Sequence, residues 1–265
     1  MARIVDRENA MEWLAPAIDP SLWTALIPAA GRGTRLGFDK PKILFPVGGT
    51  TILERLIELL EPVCAEFVFV LSPDGAALVG PEIRRLVGER GRVAIQQSPR
   101  GMGDAVASGL TELRTDHMAI VWGDQVALKR ASLEFSMRLL EGPLRPEAVC
   151  PTLVRKAPYI HFERDACGKI TRVLQQREGD ALPAEGESDS GVFFFRRNAL
   201  RGYMEVLKQD RRSTGARTGE FNFLPIFPLV DSVPERLVTA RIMSEEESVG
   251  VNSPADAAYL EARRA

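Results

Sequence analysis

The sequence predicts an α/β fold with a mixed, mainly parallel sheet flanked by helices. Three observations lead there. Short apolar runs at Trp23–Ile27, Phe67–Leu71, Arg92–Gln96 and Met118–Val121 have the length and content of buried strands. Helical patterns at Thr51–Leu60, Pro81–Val87 and Gly103–Leu113 alternate with them. Such alternation implies parallel strands joined by right-handed crossovers. After about Ala148 the rhythm changes to closely spaced short strands, which predicts a small added β-rich region.

In chain order, residues 1–20 precede the first strand and read as an N-terminal extension, docked on the body through Met11, Trp13 and Leu14. Residues 21–265 then read as one domain, with halves at about 21–147 and 148–265. Trp23–Ile27 breaks into a glycine-rich loop. The next helix shows its apolar face through Ile52, Leu53, Leu56, Ile57, Leu59 and Leu60. In the second half, Ala148–Leu153, Tyr159–Glu163, Ile170–Leu174 and Val192–Phe195 read as strands, with a turn at Ala166–Cys167–Gly168. Asn198–Lys208 reads as a helix, Gln209–Thr218 as a mobile polar loop and Leu237–Ile242 as a late strand. Ser253–Arg263 reads as a terminal helix capped by Ser253.

Composition narrows the function. The 265 residues carry 34 Lys and Arg against 36 Asp and Glu, without the basic excess of a nucleic-acid binder. No apolar run is long enough to span a membrane, and the charged N-terminus lacks the apolar stretch of a secretory signal. Three cysteines, Cys64, Cys150 and Cys167, have no metal-site spacing and predict reduced thiols in a cytoplasmic protein. With only His117 and His161, a zinc site or a serine–histidine triad is a poor match.

The sharpest motif is Ala29-Ala30-Gly31-Arg32-Gly33-Thr34-Arg35-Leu36, followed by Pro41-Lys42. Small residues let backbone N–H groups approach a phosphate, and the two cations add charge at the same place. It is neither a P-loop, since no G-x-x-x-x-G-K-[ST] string occurs, nor a dinucleotide fingerprint, since Leu36 stands where the third glycine belongs.

This loop resembles that of the nucleotide-sugar pyrophosphorylases, the sugar-1-phosphate nucleotidyltransferases, and is most similar to the uridylyltransferase domain of the N-acetylglucosamine-1-phosphate enzymes. The resemblance runs on through Gln96–Val106, Val121-Trp122-Gly123-Asp124, Arg164–Ile170, Asp189-Ser190-Gly191-Val192, Gly219-Glu220-Phe221 and Gly250-Val251-Asn252, all in the family's order. It implies a Rossmann-like nucleotide-diphospho-sugar transferase fold. The implied reaction joins a sugar-1-phosphate to the α-phosphorus of a nucleoside triphosphate and releases pyrophosphate. No hexapeptide repeats follow, so the β-helix acetyltransferase half of bifunctional relatives is not expected.

By the same resemblance, Arg35 and Lys42 are the catalytic cations. Ala29, Ala30, Gly31, Gly33, Thr34, Gln96, Gly101 and Met102 bind the nucleotide, with UTP favoured and dTTP next; Met102 stands where the uridylyltransferases have threonine and Asp104 where they have histidine, which leaves CTP and GTP open. Asp124 and Asn252 hold Mg²⁺, for which Mn²⁺ substitutes. Tyr159, His161, Gln175, Asp189 and Glu220 face the acceptor. Here the chain departs from its relatives: Gln175 replaces a glutamate, Asp189 an asparagine and His161 an arginine. These changes alter hydrogen-bond polarity. They leave open a non-sugar acceptor, such as phosphocholine or a cyclitol phosphate, and a catalytically silent nucleotide-sugar-binding regulator. The expected partners are thus a nucleoside triphosphate and a sugar phosphate, not nucleic acid or a membrane, and a homo-oligomer is left open.

Overall fold

The structure, a computed structural model, describes residues 3–241 and 244–263. Its main sheet has the order β1-β13-β8-β12-β7-β2-β5-β6, with β11 paired to β8. These strands are β1 (Arg3–Val5), β2 (Trp23–Pro28), β5 (Glu66–Leu71), β6 (Gly91–Ile95), β7 (His117–Val121), β8 (Ala148–Lys156), β11 (Glu185–Asp189), β12 (Val192–Arg196) and β13 (Leu237–Ala240). Two hairpins stand apart: β3 (Pro46–Val47) with β4 (Thr50–Thr51), and β9 (Ile160–Arg164) with β10 (Ile170–Gln175). The helices are α1 (Ile52–Leu60), α2 (Pro73–Val87), α3 (Met102–Leu110), α4 (Arg130–Glu141), α5 (Arg197–Gln209), α6 (Ile226–Asp231) and α7 (Pro254–Ala262).

The pairing is mainly parallel, as expected. Strands β7, β2, β5 and β6 run parallel in register, while β12 enters antiparallel between β7 and β8. Side-chain alternation sorts the apolar runs onto two faces. Trp23, Ala25, Ile27, Phe67, Phe69 and Leu71 join the core on one side, together with α1 and α2. Leu26, Val68, Val70, Met118 and Ile120 join the core on the other, with Phe193, Phe195, Phe223 and Phe227. The buried Trp23 indole N–H donates to Glu141 at 2.6 Å, so its polar atom is satisfied at the end of α4.

Several elements differ from expectation. Helix α2 begins at Pro73, not Pro81: Ser72 caps it by accepting from the Gly75 N–H, and Pro73 opens its first turn. Pro81 lies inside this helix and costs it one backbone bond. Strand β11 and helices α4 and α6 were not predicted. The stretch 1–20 adds an edge strand, β1, beside β13. Trp13 and Leu14 pack on the core, whereas Met11 is 79% exposed and does not join it. The last residue of the expected late strand, Ile242, lies outside the described residues. Residues 209–218 are tied down: the Glu178 carboxylate accepts from the Arg217 and Thr218 N–H groups at 3.1 and 3.2 Å and from the Thr218 hydroxyl at 2.7 Å.

The strand order places the loops after β2 and β7 at a reversal. From β2, the chain adds β5 and β6 on one side and β7 on the other. Loops diverging at such a point leave a crevice at the carboxyl ends of the strands, where ligands of open α/β sheets bind.

Candidate active site

The glycine loop leaves the carboxyl end of β2. The Ala29 N–H donates to Val70 O at 2.8 Å, which fixes the exit, and the Lys42 N–H donates to Gly31 O at 3.1 Å, which folds the loop back. At Gly33 the backbone has φ +69°, which favours glycine, and a Cβ there would sit 3.2 Å from the Lys42 Cα, a tight approach. The N–H groups of Ala30, Gly31, Arg32 and Gly33 donate to no acceptor among the described residues. Together they form an open row of donors suited to an anion.

Across the crevice, Asp124 follows β7. The Gly123 N–H donates to Pro28 O at 3.1 Å, and a Cβ on Gly123 would meet that oxygen at 2.7 Å. This glycine lets the two loops touch. A third segment arrives through another glycine: a Cβ on Gly250 would lie 3.1 Å from the Asp124 carboxylate, and the Val251 N–H donates to Asp124 O at 3.0 Å. The next residue, Asn252, is held by the Asp256 carboxylate, which accepts its N–H at 2.9 Å.

These three approaches converge on one ammonium. Lys42 Nζ lies 2.7 Å from Asp124 Oδ2 and 2.8 Å from Asn252 Oδ1, and Arg35 donates to the same Asn252 oxygen at 3.4 Å. One anionic and one neutral hard oxygen thus point at a site that a cation already fills. This donor set fits Mg²⁺, which takes few protein ligands and completes its shell with phosphate and water.

A cavity of about 310 Å³ opens beside this cluster, lined by Ala29, Ala30, Gly31, Lys42, Gln96, Gly101, Met102 and Asp124 among others. Thr34 and Arg35 sit in a short 3-10 turn and, like Gly33, do not line this cavity; Arg35 reaches the cluster through Asn252. Gly101 has φ +106°, and a Cβ there would be 2.6 Å from Phe221 O. Its backbone is therefore clamped against the Gly219-Glu220-Phe221 segment, with the Phe221 N–H donating to Arg100 O at 2.7 Å. Cys64 and Cys150 are buried core residues, as expected.

The expected acceptor residues are not gathered in one place. Glu220 lines the cavity, paired with Arg177. Asp189, at the end of β11, does not line that cavity; its carboxylate accepts from the Gly191 N–H at 3.0 Å. Burial pushes its carboxyl up to about 6 against the pull of the Gly191 N–H and Arg155, and the charge of Asp124 adds to the rise. Gln175 instead lines a second cavity of about 310 Å³ with Glu178, Arg212 and Asn222. His161 is pinned to β11, its Nδ1 3.1 Å from Glu187 O, and Tyr159 is 50% exposed. Sequence reasoning missed Arg177 and Arg155. Each is a long cation whose direction no local pattern encodes.

A profile for the MobA-like NTP transferase domain matches residues 25–189. The chain belongs to this family. It is 30% identical over 239 residues to the bifunctional protein GlmU of Chromohalobacter salexigens, covering 89% of this chain and 50% of that protein. It is 29% identical over 246 residues to the bifunctional protein GlmU of Burkholderia multivorans, covering 89% and 51%. The chain spans about half the length of the curated relatives it matches. The solved 4-diphosphocytidyl-2C-methyl-D-erythritolsynthase of Anaerococcus prevotii shares the fold, with a TM-score of 0.64 at 14% identity over 93% of this chain and 99% of that one. The nucleotidyltransferase resemblance and the mainly parallel, helix-flanked sheet both hold. No helix among the described residues is long and apolar enough to cross a membrane.

Proposed function

We propose that this chain forms a nucleoside diphosphate sugar and pyrophosphate from a nucleoside triphosphate, with UTP favoured and dTTP next, and a sugar-1-phosphate. The observation that carries this reading is the meeting of Lys42, Asp124 and Asn252 beside a row of unpaired loop N–H groups.

The acceptor phosphate oxygen attacks the α-phosphorus, and the bond to the β-phosphate oxygen breaks. Such transfer needs alignment and charge neutralisation more than covalent help. The loop N–H groups and Arg35 cradle the β- and γ-phosphates and the departing pyrophosphate; the planar guanidinium suits two oxygens at once. Lys42 bridges the α-phosphate and the incoming phosphate, offsetting their repulsion. Asp124 and Asn252, released from the Lys42 ammonium that bridges them here, would hold Mg²⁺, which would supply further neutralisation of the phosphates. Gln96 and Gly101 read the base, and Glu220, with Asp189 beside Asp124, faces the acceptor.

A second reading keeps the chemistry and changes the acceptor to a non-sugar phosphate monoester. The scatter of the acceptor set favours it: Gln175 lies in a separate cavity and His161 is locked onto β11, so a polyhydroxyl ring would meet few of the expected groups. Pyrophosphate release from a grid of four triphosphates against sugar-1-phosphates, phosphocholine and cyclitol phosphates, with Mg²⁺ present, tests both. Release with a sugar-1-phosphate supports the first reading, and release only with another monoester supports the second. Silence across the grid, with triphosphate still bound, would make the chain a nucleotide-binding regulator.

A further inference from the structure

Gln96 is buried at the carboxyl end of β6, with its side chain on the cavity wall. Its Nε2 donates twice, to Gly101 O at 3.1 Å and to Asp104 Oδ2 at 2.9 Å. Both amide hydrogens are therefore spent on the protein. Its Oε1 accepts from none of the described residues, and it is not among the enclosed unpaired atoms. Reversing the amide would set Oε1 against a carbonyl and a carboxylate at about these same distances, an arrangement of facing acceptors. The Gly101 N–H, next along the wall, has no acceptor among the described residues either.

We propose that Asp104 is a positioning residue that locks the Gln96 amide with its oxygen toward the base, making the cavity select uracil or thymine over cytosine. This rests on the reading of Gln96 as the base contact. An acceptor fixed beside a donor matches the imide edge of uracil, where a ring N–H sits next to a carbonyl oxygen. Cytosine presents a bare ring nitrogen at the same place, so two lone pairs would face each other. A site whose polar groups are set for one edge rejects the base that leaves them unpaired. Asp104 also stands in the first turn of α3, where a carboxylate suits the helix dipole. That role alone predicts no effect on base choice.

Equilibrium binding of UTP and CTP, without acceptor, separates the two roles. The wild-type chain is expected to bind UTP at least about tenfold more tightly than CTP. Asp104→Ala removes one of the two anchors and should bring the ratio towards unity while CTP binding is held or improved. Asp104→Asn, whose Oδ1 still accepts from Gln96, should keep most of the preference. A wild-type preference for CTP would overturn the lock. So would an unchanged ratio in Asp104→Ala, or equal weakening of both nucleotides together with a lower Tm. If the wild-type chain binds no triphosphate at all, the nucleotidyltransferase reading fails first and the lock fails with it.

Discussion

Lys42 makes two strong contacts, to Asp124 and to Asn252, and these side chains come from three distant parts of the chain. Replacing Asp124 by alanine should abolish turnover while the fold survives, because its carboxylate lies at the sheet rim and not in either core. Normal turnover of that variant at limiting Mg²⁺ would refute the metal assignment. Lys42→Met and Arg35→Met should each lower kcat by about 10²–10³, the range for a preorganised charge stabiliser. An effect confined to KM for the triphosphate would mean uniform ground-state binding instead. A fourth residue, His117, reports on stability. Burial lowers the His117 pKa below its ordinary 6.5, and the ring packs edge-on to Trp23. The folded state therefore prefers the neutral ring. Its contribution is full above pH 6.5 and is lost as the pH falls through and below that value, since the unfolded chain takes up the proton first. His117→Phe should show a smaller drop in Tm between neutral and mildly acidic buffer than the wild type; an equal drop would remove His117 as the cause. At this scale Lys42, Asp124 and Asn252 could be named from the family order of the motifs, and Gly123 and Gly250 allow the close approaches that bring Asp124 and Asn252 to Lys42. The placement of Gln175 and Arg177 was not legible, since Gln175 ends β10 and Arg177 lies in the turn that follows, and the two line different cavities.

Among the elements, β11 shows why some structure stays hidden. Its sequence Glu185-Gly186-Glu187-Ser188-Asp189 has no apolar face, yet it pairs with β8 along its full length. Glu187 is buried there against Arg164, with Nε–Oε2 and Nη2–Oε1 distances of 2.6 and 2.8 Å, and it accepts from the Thr152 hydroxyl at 2.7 Å. Hydrogen bonds to Arg164 and Thr152 outweigh burial and hold its carboxyl below the usual range. Periodicity cannot register a charge that a partner far along the chain makes tolerable. Arg164→Met alone should cost about 3 kcal/mol by leaving the buried Glu187 with only Thr152 and the longer 3.4 Å contact to Arg241, whereas the Arg164→Met, Glu187→Leu double variant should recover most of it. Urea melts of the three proteins decide this, and equal losses in the single and double variants would contradict it. Helix α2 starts ahead of its expected position: Pro81 is the stronger breaker in isolation, while the start signal is the cap at Ser72. The terminal helix α7 was read correctly: Ser253 and Asp256 form a reciprocal cap, and that cap also holds the Asn252 backbone.

For the whole molecule, the α/β class, the nucleotide loop and the order of the motifs could be read from local pattern. The strand order could not, because pairing is a long-range choice, and the insertion of β12 between β7 and β8 leaves no mark on either neighbour. That order opens the crevice in which the candidate site lies. The acceptor remains the least encoded part, and the structure disperses rather than gathers its expected residues. N-acetylglucosamine-1-phosphate should accordingly be a poor acceptor, with another phosphate monoester used at least about tenfold better in kcat/KM. If it led the panel, the significance given to Gln175 and Asp189 would be withdrawn, though nucleotidyl transfer would stand. The central claim is that the nucleotidyl group moves to a phosphate and pyrophosphate leaves. Label tracing tests it most directly: with the preferred triphosphate and acceptor, an α-phosphate label should appear in the acceptor's new diphosphate linkage, and a γ-phosphate label only in pyrophosphate. An α label recovered as free nucleotide, or a γ label transferred to the acceptor, would contradict it.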